Sequence, residues 1–260
     1  MTALQIIGGG KMGQALLGGL LTAGWAPAAD LAVVEVSPEL RADLSARFDG
    51  VAVVDAPRPG VDTMVAVKPH IVLDVCAALD APGRVLSIAA GITVAAMERA
   101  LPPGTAVVRA MPNTPALVGV GAAALTGGTA STGDDVTWAS GILRAVGEVA
   151  VVTEAQLDAV TGLSGSGPAY VFLVAEAMID AGVAAGLPAD VARTLATQTL
   201  LGAATLLSQG DQAAAELRAA VTTPAGTTAA GLRVLEQRAV RAAFIDAVQA
   251  ATDRSRQLGG

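Results

Sequence analysis

Lysine, histidine, cysteine and aromatic residues are all scarce in this chain of 260, and each scarcity closes off a class of function. With two lysines, Lys11 and Lys68, and a net charge of −7, there is no basic stripe to neutralise a run of phosphates, so nucleic acid is set aside as a partner. The single cysteine, Cys76, cannot close an internal disulfide, which fits a reducing cytoplasm. His70 is the only histidine; no His/Cys/Asp cluster has metal-ligand spacing, and no Ser or Cys nucleophile pattern accompanies it. Aromatics make up 2% of a chain that is 53% apolar, so the core is expected to consist of Ala, Val, Leu and Ile. The start carries no basic segment and its apolar run breaks at Gly8, which argues against a signal peptide. The longest apolar stretch, Ala169 to Ala185, carries Glu176 and Asp180 one helical turn apart, each costly in lipid. A buried helix of a soluble protein, with no membrane partner, is the expectation there.

What is present starts at residue four. Leu4 to Ile7 is a short apolar run feeding a glycine turn, Gly8-x-Gly10-x-x-Gly13, which opens an apolar helical pattern from Met12 to Leu21. In a dinucleotide-binding turn the first glycine allows the sharp bend, the second lets backbone approach a pyrophosphate, and the third lets helix pack on strand. The pattern then repeats. Leu31 to Val36 is a second apolar run, ending in Glu35-Val36-Ser37-Pro38, with Pro38 placed to start a helix through Arg47. Further strand-like runs follow at Val51–Val54, Thr63–Val67, Arg84–Ala89 and Ala106–Met111, the last two separated by a helix beginning near Thr93. Ala122–Thr126, a helix around Val136–Arg144 led by Asp134-Asp135, and Glu148–Val152 complete this part. Alternation of this kind predicts a parallel sheet covered on both faces, with ligands at the carboxyl ends of its strands.

No strand-like run appears after Thr153. The expected organisation is therefore an α/β Rossmann-like dinucleotide-binding domain over 1–153, followed by an all-α domain over 154–260. Pro168 and Pro188 sit where helices would take their first residues, and Gly210-Asp211 reads as one helix end and the next cap. Gly182 and Gly186, four apart, would let another helix lie close, either within the core or at a subunit interface.

Two segments of the helical part are too rich in glycine and hydroxyls for plain helix: Thr161-Gly-Leu-Ser-Gly-Ser-Gly-Pro-Ala-Tyr170 and Val221-Thr-Thr-Pro-Ala-Gly-Thr-Thr228. Each places a loop directly before a helix. Free N–H groups at Gly226, Thr227 and Thr228, together with the hydroxyls, suit a small carboxylate. The alternative is a capped helix start in which Thr223 and Thr227 satisfy orphan donors.

Taken in order, these motifs resemble pyrroline-5-carboxylate reductases over nearly the whole chain. The resemblance rests on the glycine turn ending Lys11-Met12-Gly13, Ala66-Val-Lys-Pro69, Ala89-Ala-Gly91, Arg109-Ala-Met-Pro-Asn-Thr-Pro115, Asp158–Tyr170 and Val221–Thr228. Ala225 stands where the family more often has glycine, and is tolerable only if that position needs no positive φ. The resemblance implies hydride transfer from a nicotinamide to the C=N carbon of a cyclic imine bearing one carboxylate, giving L-proline as the last step of proline biosynthesis. It implies a cofactor site at Gly8, Gly9, Gly10, Lys11, Met12, Gly13, Val36, Ser37, Pro38, Asp55, Val67, Lys68, Pro69, Ala90 and Asn113. The implied substrate site is Glu154, Val221, Thr223, Gly226, Thr227 and Thr228, with the Thr228 hydroxyl meeting the ring nitrogen. A cytoplasmic homo-oligomer, at minimum an interlocked dimer with its active site near the domain junction, is implied as well.

Cofactor choice turns on a few residues. An acid about twenty positions past the glycine turn favours NAD by binding the ribose 2′-OH, and Glu35 lies at about that distance. NADP is expected nonetheless, with Ser37 and Arg41 making a phosphate pocket if Glu35 points away; NAD is possible. The rival functions are a broader imine reductase, a β-hydroxyacid-dehydrogenase-like enzyme (which would use a helical-domain lysine absent here), and a non-catalytic dinucleotide sensor.

Overall fold

The computed structural model describes residues 2–259. It has two compact units, Met1–Ser166 with Gln249–Gly260, and Gly167–Val248. The first unit thus runs past the sequence-based division at 153 and recovers the last turns of the chain.

An eight-stranded sheet organises the first unit, in the order β3-β2-β1-β4-β5-β6-β7-β8. Its strands are β1 (Leu4–Ile7), β2 (Leu31–Val34), β3 (Ala52–Val54), β4 (Thr63–Val65), β5 (Val85–Ser87), β6 (Val107–Pro112), β7 (Gly121–Gly127) and β8 (Gly147–Val151). The connecting helices are α1 (Lys11–Thr22), α2 (Pro38–Arg47), α3 (Val72–Ala77), α4 (Val94–Ala100) and α5 (Gly133–Arg144). Their starts follow local chemistry. Ser37 caps α2 by accepting from Leu40 N with Pro38 at the first turn, and Thr93 caps α4 by accepting from Ala96 N. Asp135 accepts from Thr132 N at the start of α5, and that hydrogen bond holds its carboxyl below the usual range.

One expectation fails here. β7 pairs antiparallel to β6, with Val108 opposite Gly127 and Pro112 opposite Ala123. The Asn113–Val120 connection is a 3₁₀ turn closed by a left-handed Gly119, shorter than the roughly dozen residues a parallel crossover needs. All other pairings are parallel.

Side-chain alternation divides the core in two. Leu4, Ile6, Met64, Leu86 and Val108 face the layer containing Leu16, Leu17 and Leu20 of α1 and Ile142 of α5. Ile7, Val34, Val65 and Val107 face Val72 and Cys76 of α3 and Met97 of α4. Each fully buried leucine contributes about 1.5–3 kcal/mol, so these mainly aliphatic layers fasten the strand ends firmly, with Phe48 joining the first of them.

From Glu154 the chain is helical to Ala184: a short turn, α6 (Leu157–Val160), a π-helical turn over Thr161–Gly165, and α7 (Gly167–Ala184). Then come α8 (Ala189–Gln209), α9 (Ala214–Ala220), α10 (Thr227–Gln237) and α11 (Val240–Gly259). α9 is preceded by Ala213 rather than capped by Asp211. Gly182 does permit close packing: a methyl group built there would sit 3.1 Å from Ala192 Cβ on α8.

The expected burial of the long apolar helix is not found. Glu154–Ala184 is long and apolar enough to cross a membrane by length and composition, and none of α7 is buried in the single chain. Phe172, Leu173, Leu201, Leu206 and Ile245 are likewise exposed, Ile245 by 69%. Among the described residues these side chains are left exposed, a condition typical of surfaces that bind a partner.

Candidate active site

The register of the sheet brings the first set of site residues to one edge. Val54, Val34, Ile7 and Val65 are neighbours across β3, β2, β1 and β4, and Val65 faces Ser87 of β5. The residues following them are therefore also in a row: Asp55, Val36–Pro38, Gly8–Gly13, Val67–Pro69 and Ala90. The chain leaves β1 for one side of the sheet and β4 for the other, so the crevice opens where ligands settle in open α/β sheets.

Within the turn each glycine has a separate physical reason. Gly8 has φ +107, and a methyl group there would lie 2.6 Å from the carbonyl oxygen of Ala66. A methyl group on Gly13 would collide with the carbonyl oxygen of Gly8. Gly10 is different: it is extended at φ −70 and ψ 178, it is the N-cap of α1, and nothing lies within 4 Å of an added methyl. Open space in front of a helix start, where the first amides lack intrahelical partners, is what a pyrophosphate requires. The residues present fit a dinucleotide.

Beside the turn, Glu35 does not point away. Its Oε2 accepts from Gly9 N at 2.9 Å and its Oε1 from Ser37 N at 2.9 Å. The Ser37 hydroxyl donates to Glu39, and Arg41 donates to the carbonyls of Glu35 and Val36. The Ser37 hydroxyl and Arg41 Nη1 are thus held at the start of α2, and Glu35 lies against the turn.

Asn113, expected at the cofactor, has its side chain tied into the fold. It is buried, its Nδ2 donates to Ser164 O at 3.0 Å, and its Oδ1 accepts from Ala122 N at 2.8 Å. Both ends of the amide are spent on holding the π-helical turn and the start of β7. Glu154, expected on the substrate side, accepts from Val94 N at 2.7 Å and from Arg109 Nη1 at 2.9 Å through one oxygen. It ties the buried Arg109 to the first residue of α4, immediately after the Ala89–Ala90–Gly91 segment. We expect Glu154→Gln to lower unfolding free energy by about 1–2 kcal/mol, since it strips the charge from a part-exposed partner of a buried guanidinium. Chemical denaturation would measure this; unchanged stability together with a raised KM would return Glu154 to the substrate.

A cavity of about 380 Å³ opens beside these strand ends, lined by Pro69, Ala90 and Gly91, by Thr161 and Ser166 of the π-turn region, and by Arg254 of α11. Sequence reasoning missed Arg254, and noticed the hydroxyl-rich Thr161–Ser166 segment without giving it a role. π-turns inside helices concentrate at functional sites, and this one puts Ser166 N on Thr161 O. Cys76 contributes nothing nucleophilic: burial pushes its thiol up to about 11. Among the described residues, no cluster of His, Cys, Asp and Glu is arranged to hold a metal.

In the second unit, the Val221–Gly226 loop leads into α10, whose N-cap is Gly226 without any side-chain cap. Thr223 and Thr227 therefore do not act as caps. Thr227 and Thr228 are exposed, and as the first residues of α10 their amides have no intrahelical acceptor. A methyl group on Gly226 would collide with Thr223 Oγ1, so a larger residue there would force the Thr223 side chain to move. Ala225, by contrast, has φ +59, which corrects the expectation that its position avoids positive φ. An L-residue in that region costs about 1–2 kcal/mol, and glycine would give back about 0.5–1 in chain entropy. Ala225→Gly is thus expected to raise stability by about 0.5–1 kcal/mol; a lowered melting temperature would contradict it.

Comparison with known proteins agrees with these features. Residues 3–91 match the family model described as NADP oxidoreductase, coenzyme F420-dependent, and residues 154–258 match the one described as pyrroline-5-carboxylate reductase dimerisation. A pyrroline-5-carboxylate reductase of Mycobacterium tuberculosis is 46% identical, with 99% of this chain and 97% of that protein covered. One from Corynebacterium melassecola is 41% identical over 100% and 99%. Among solved structures, the Coxiella burnetii pyrroline-5-carboxylate reductase superposes with a TM-score of 0.93 at 34% identity, covering 100% and 99%. The Plasmodium falciparum pyrroline carboxylate reductase with NADP bound gives 0.82 at 27%, covering 100% and 98%. On a glycine turn, a strand-end crevice, a hydroxyl-rich α10 start and full-length identity above 40%, the chain belongs to the pyrroline-5-carboxylate reductase family.

Proposed function

We infer that the protein reduces 1-pyrroline-5-carboxylate to L-proline with NADPH, the last step of proline biosynthesis. The observation that carries this is the end-to-end match to reductases of that name. When bound, the dihydronicotinamide supplies a hydride to the C=N carbon. The chain's own part is positioning and electrostatics. The Gly8–Gly13 turn and the α1 amides hold the pyrophosphate. Pro69 and Ala90 border the cavity that takes the nicotinamide end. The amides of Thr227 and Thr228 bind the substrate carboxylate, helped by the positive end of α10. The Thr228 hydroxyl hydrogen-bonds the ring nitrogen, and an imine that arrives protonated needs no strong acid from the protein.

The protein is a homo-oligomer, as its dimerisation-family segment implies. We take the exposed faces of α7, α8 and α11 as the surfaces a second copy covers, in a cytoplasmic enzyme. The test is to follow NADPH consumption by purified protein with and without racemic pyrroline-5-carboxylate, and to identify proline as product. Consumption without proline formation would point to a broader imine reductase, and binding without turnover to a sensor. Sedimentation in the same buffer that showed an active monomer would defeat the dimer.

A further inference from the structure

We propose that Ser166 is a further cofactor-contacting residue, its hydroxyl donating a hydrogen bond to the nicotinamide carboxamide, and that Asn113 is the positioning residue that holds it there. The proposal rests on the reductase function above and concerns the hydride-carrying end of the same cofactor. With the pyrophosphate at the α1 start, a dinucleotide that leaves its adenosine beside β2 carries its other end across β4 and β5. The cavity of about 380 Å³ lies there, bordered by Pro69 after β4 and by Ala90 and Gly91 after β5. Three hydroxyl side chains line it, those of Thr161, Ser166 and Ser255. Thr161 donates to Leu157 O at 2.9 Å, and Ser255 to Asp158 Oδ1 at 2.7 Å. Among the described residues, Ser166 alone of the three keeps its hydroxyl proton free for a ligand.

The irregular backbone around Ser166 has a cause in the sequence. Ser166 N donates to Thr161 O at 2.8 Å, five positions back, and the chain bends at Ser166 before α7 begins. In a continuous α-helix Ser164 O would accept from the N–H of residue 168, which is Pro168 and has none. Asn113 supplies the missing donor. Its Nδ2 reaches Ser164 O at 3.0 Å, while its Oδ1 is anchored by Ala122 N at 2.8 Å. The buried amide therefore ties the π-turn to the start of β7, inside the sheet. The turn also lies close against β6, where a methyl group on Gly165 would come within 2.8 Å of Met111 Cε. These two contacts fix where the last residue of the turn, Ser166, stands against Ala90 and Gly91.

The test measures affinity by calorimetry on the full-length protein, for NADPH and for 2′-phospho-ADP-ribose, which lacks the nicotinamide. Ser166→Ala should weaken NADPH about three- to tenfold, the worth of one neutral hydrogen bond, and leave 2′-phospho-ADP-ribose unchanged. Its melting temperature should stay at the wild-type value, since the hydroxyl has no partner in the fold. Asn113→Asp keeps an acceptor for Ala122 N but loses the donor to Ser164 O. It should weaken NADPH by a similar factor and again spare 2′-phospho-ADP-ribose, and adding Ser166→Ala to it should weaken NADPH by less than about twofold more. Wild-type NADPH affinity in Ser166→Ala, or an equal loss for both ligands, would overturn the contact, and this comparison decides even if Asn113→Asp fails to fold. Fully additive losses in a folded double variant would overturn the positioning role of Asn113. Wild type that bound neither ligand would refute the reductase function as well, a result distinct from unchanged affinity in the variant.

Discussion

Thr228→Ala is expected to lower kcat by about ten- to a thousandfold while leaving NADPH affinity nearly unchanged. The substitution removes the hydroxyl assigned to the ring nitrogen but keeps the α10 amides assigned to the carboxylate. A hydrogen bond that strengthens as the nitrogen becomes an amine acts on the transition state more than on bound substrate, so the loss should appear in kcat rather than in KM alone. Fold stability should hardly move. Thr228 is exposed, and the cap of α10 is Gly226 with no side-chain bond, so no cap is lost. Steady-state kinetics and a melting curve on one preparation make the check. Wild-type turnover in the variant would remove Thr228 from the chemistry.

The second large effect comes from comparing two glycines three positions apart. Gly13→Val should destabilise the protein by at least about 3 kcal/mol, because the new side chain meets the Gly8 carbonyl, part of a backbone turn already pressed against Ala66. Gly10→Val should leave stability nearly intact: its backbone is extended, and no atom lies within 4 Å of an added methyl. That open space belongs to the pyrophosphate. Filling it should weaken NADPH by at least about tenfold, since charge-assisted hydrogen bonds worth about 1.5–3 kcal/mol each are lost. Unchanged NADPH affinity in folded Gly10→Val would mean that the turn is only structural. A soluble Gly13→Val with a wild-type melting curve would show that the β1–α1 packing is looser than its geometry requires.

Much of this was legible in the residues themselves, and the legible part shares a cause. Ser37 with Pro38, Thr93, and the Gly8–Gly13 turn act over three to five positions, so spacing alone places the α2 and α4 starts and the cofactor turn. The ordered motifs from Lys11 to Thr228 were enough to indicate the family. What the chain did not disclose depends on partners far away in sequence. Glu154 meets residues 45 and 60 positions earlier, and Asn113 is taken by a carbonyl 51 positions later. Neither separation leaves a periodicity, so the ties these two side chains make within the fold could not be read from the sequence. Nor does the residue type reveal the left-handed backbone of Ala225, which the surrounding turn imposes. The orientation of Glu35 depends on β1 and β2 lying side by side, so that Gly9 N comes within 2.9 Å of its carboxylate. The exposure of α7 follows the same logic beyond one chain: its hydropathy predicts burial, yet none of its residues is buried in a single copy. Local sequence determined where elements begin and which turn receives a dinucleotide. Tertiary structure decided which polar groups remain free to bind anything, because a donor or acceptor already satisfied across the fold is unavailable to a ligand.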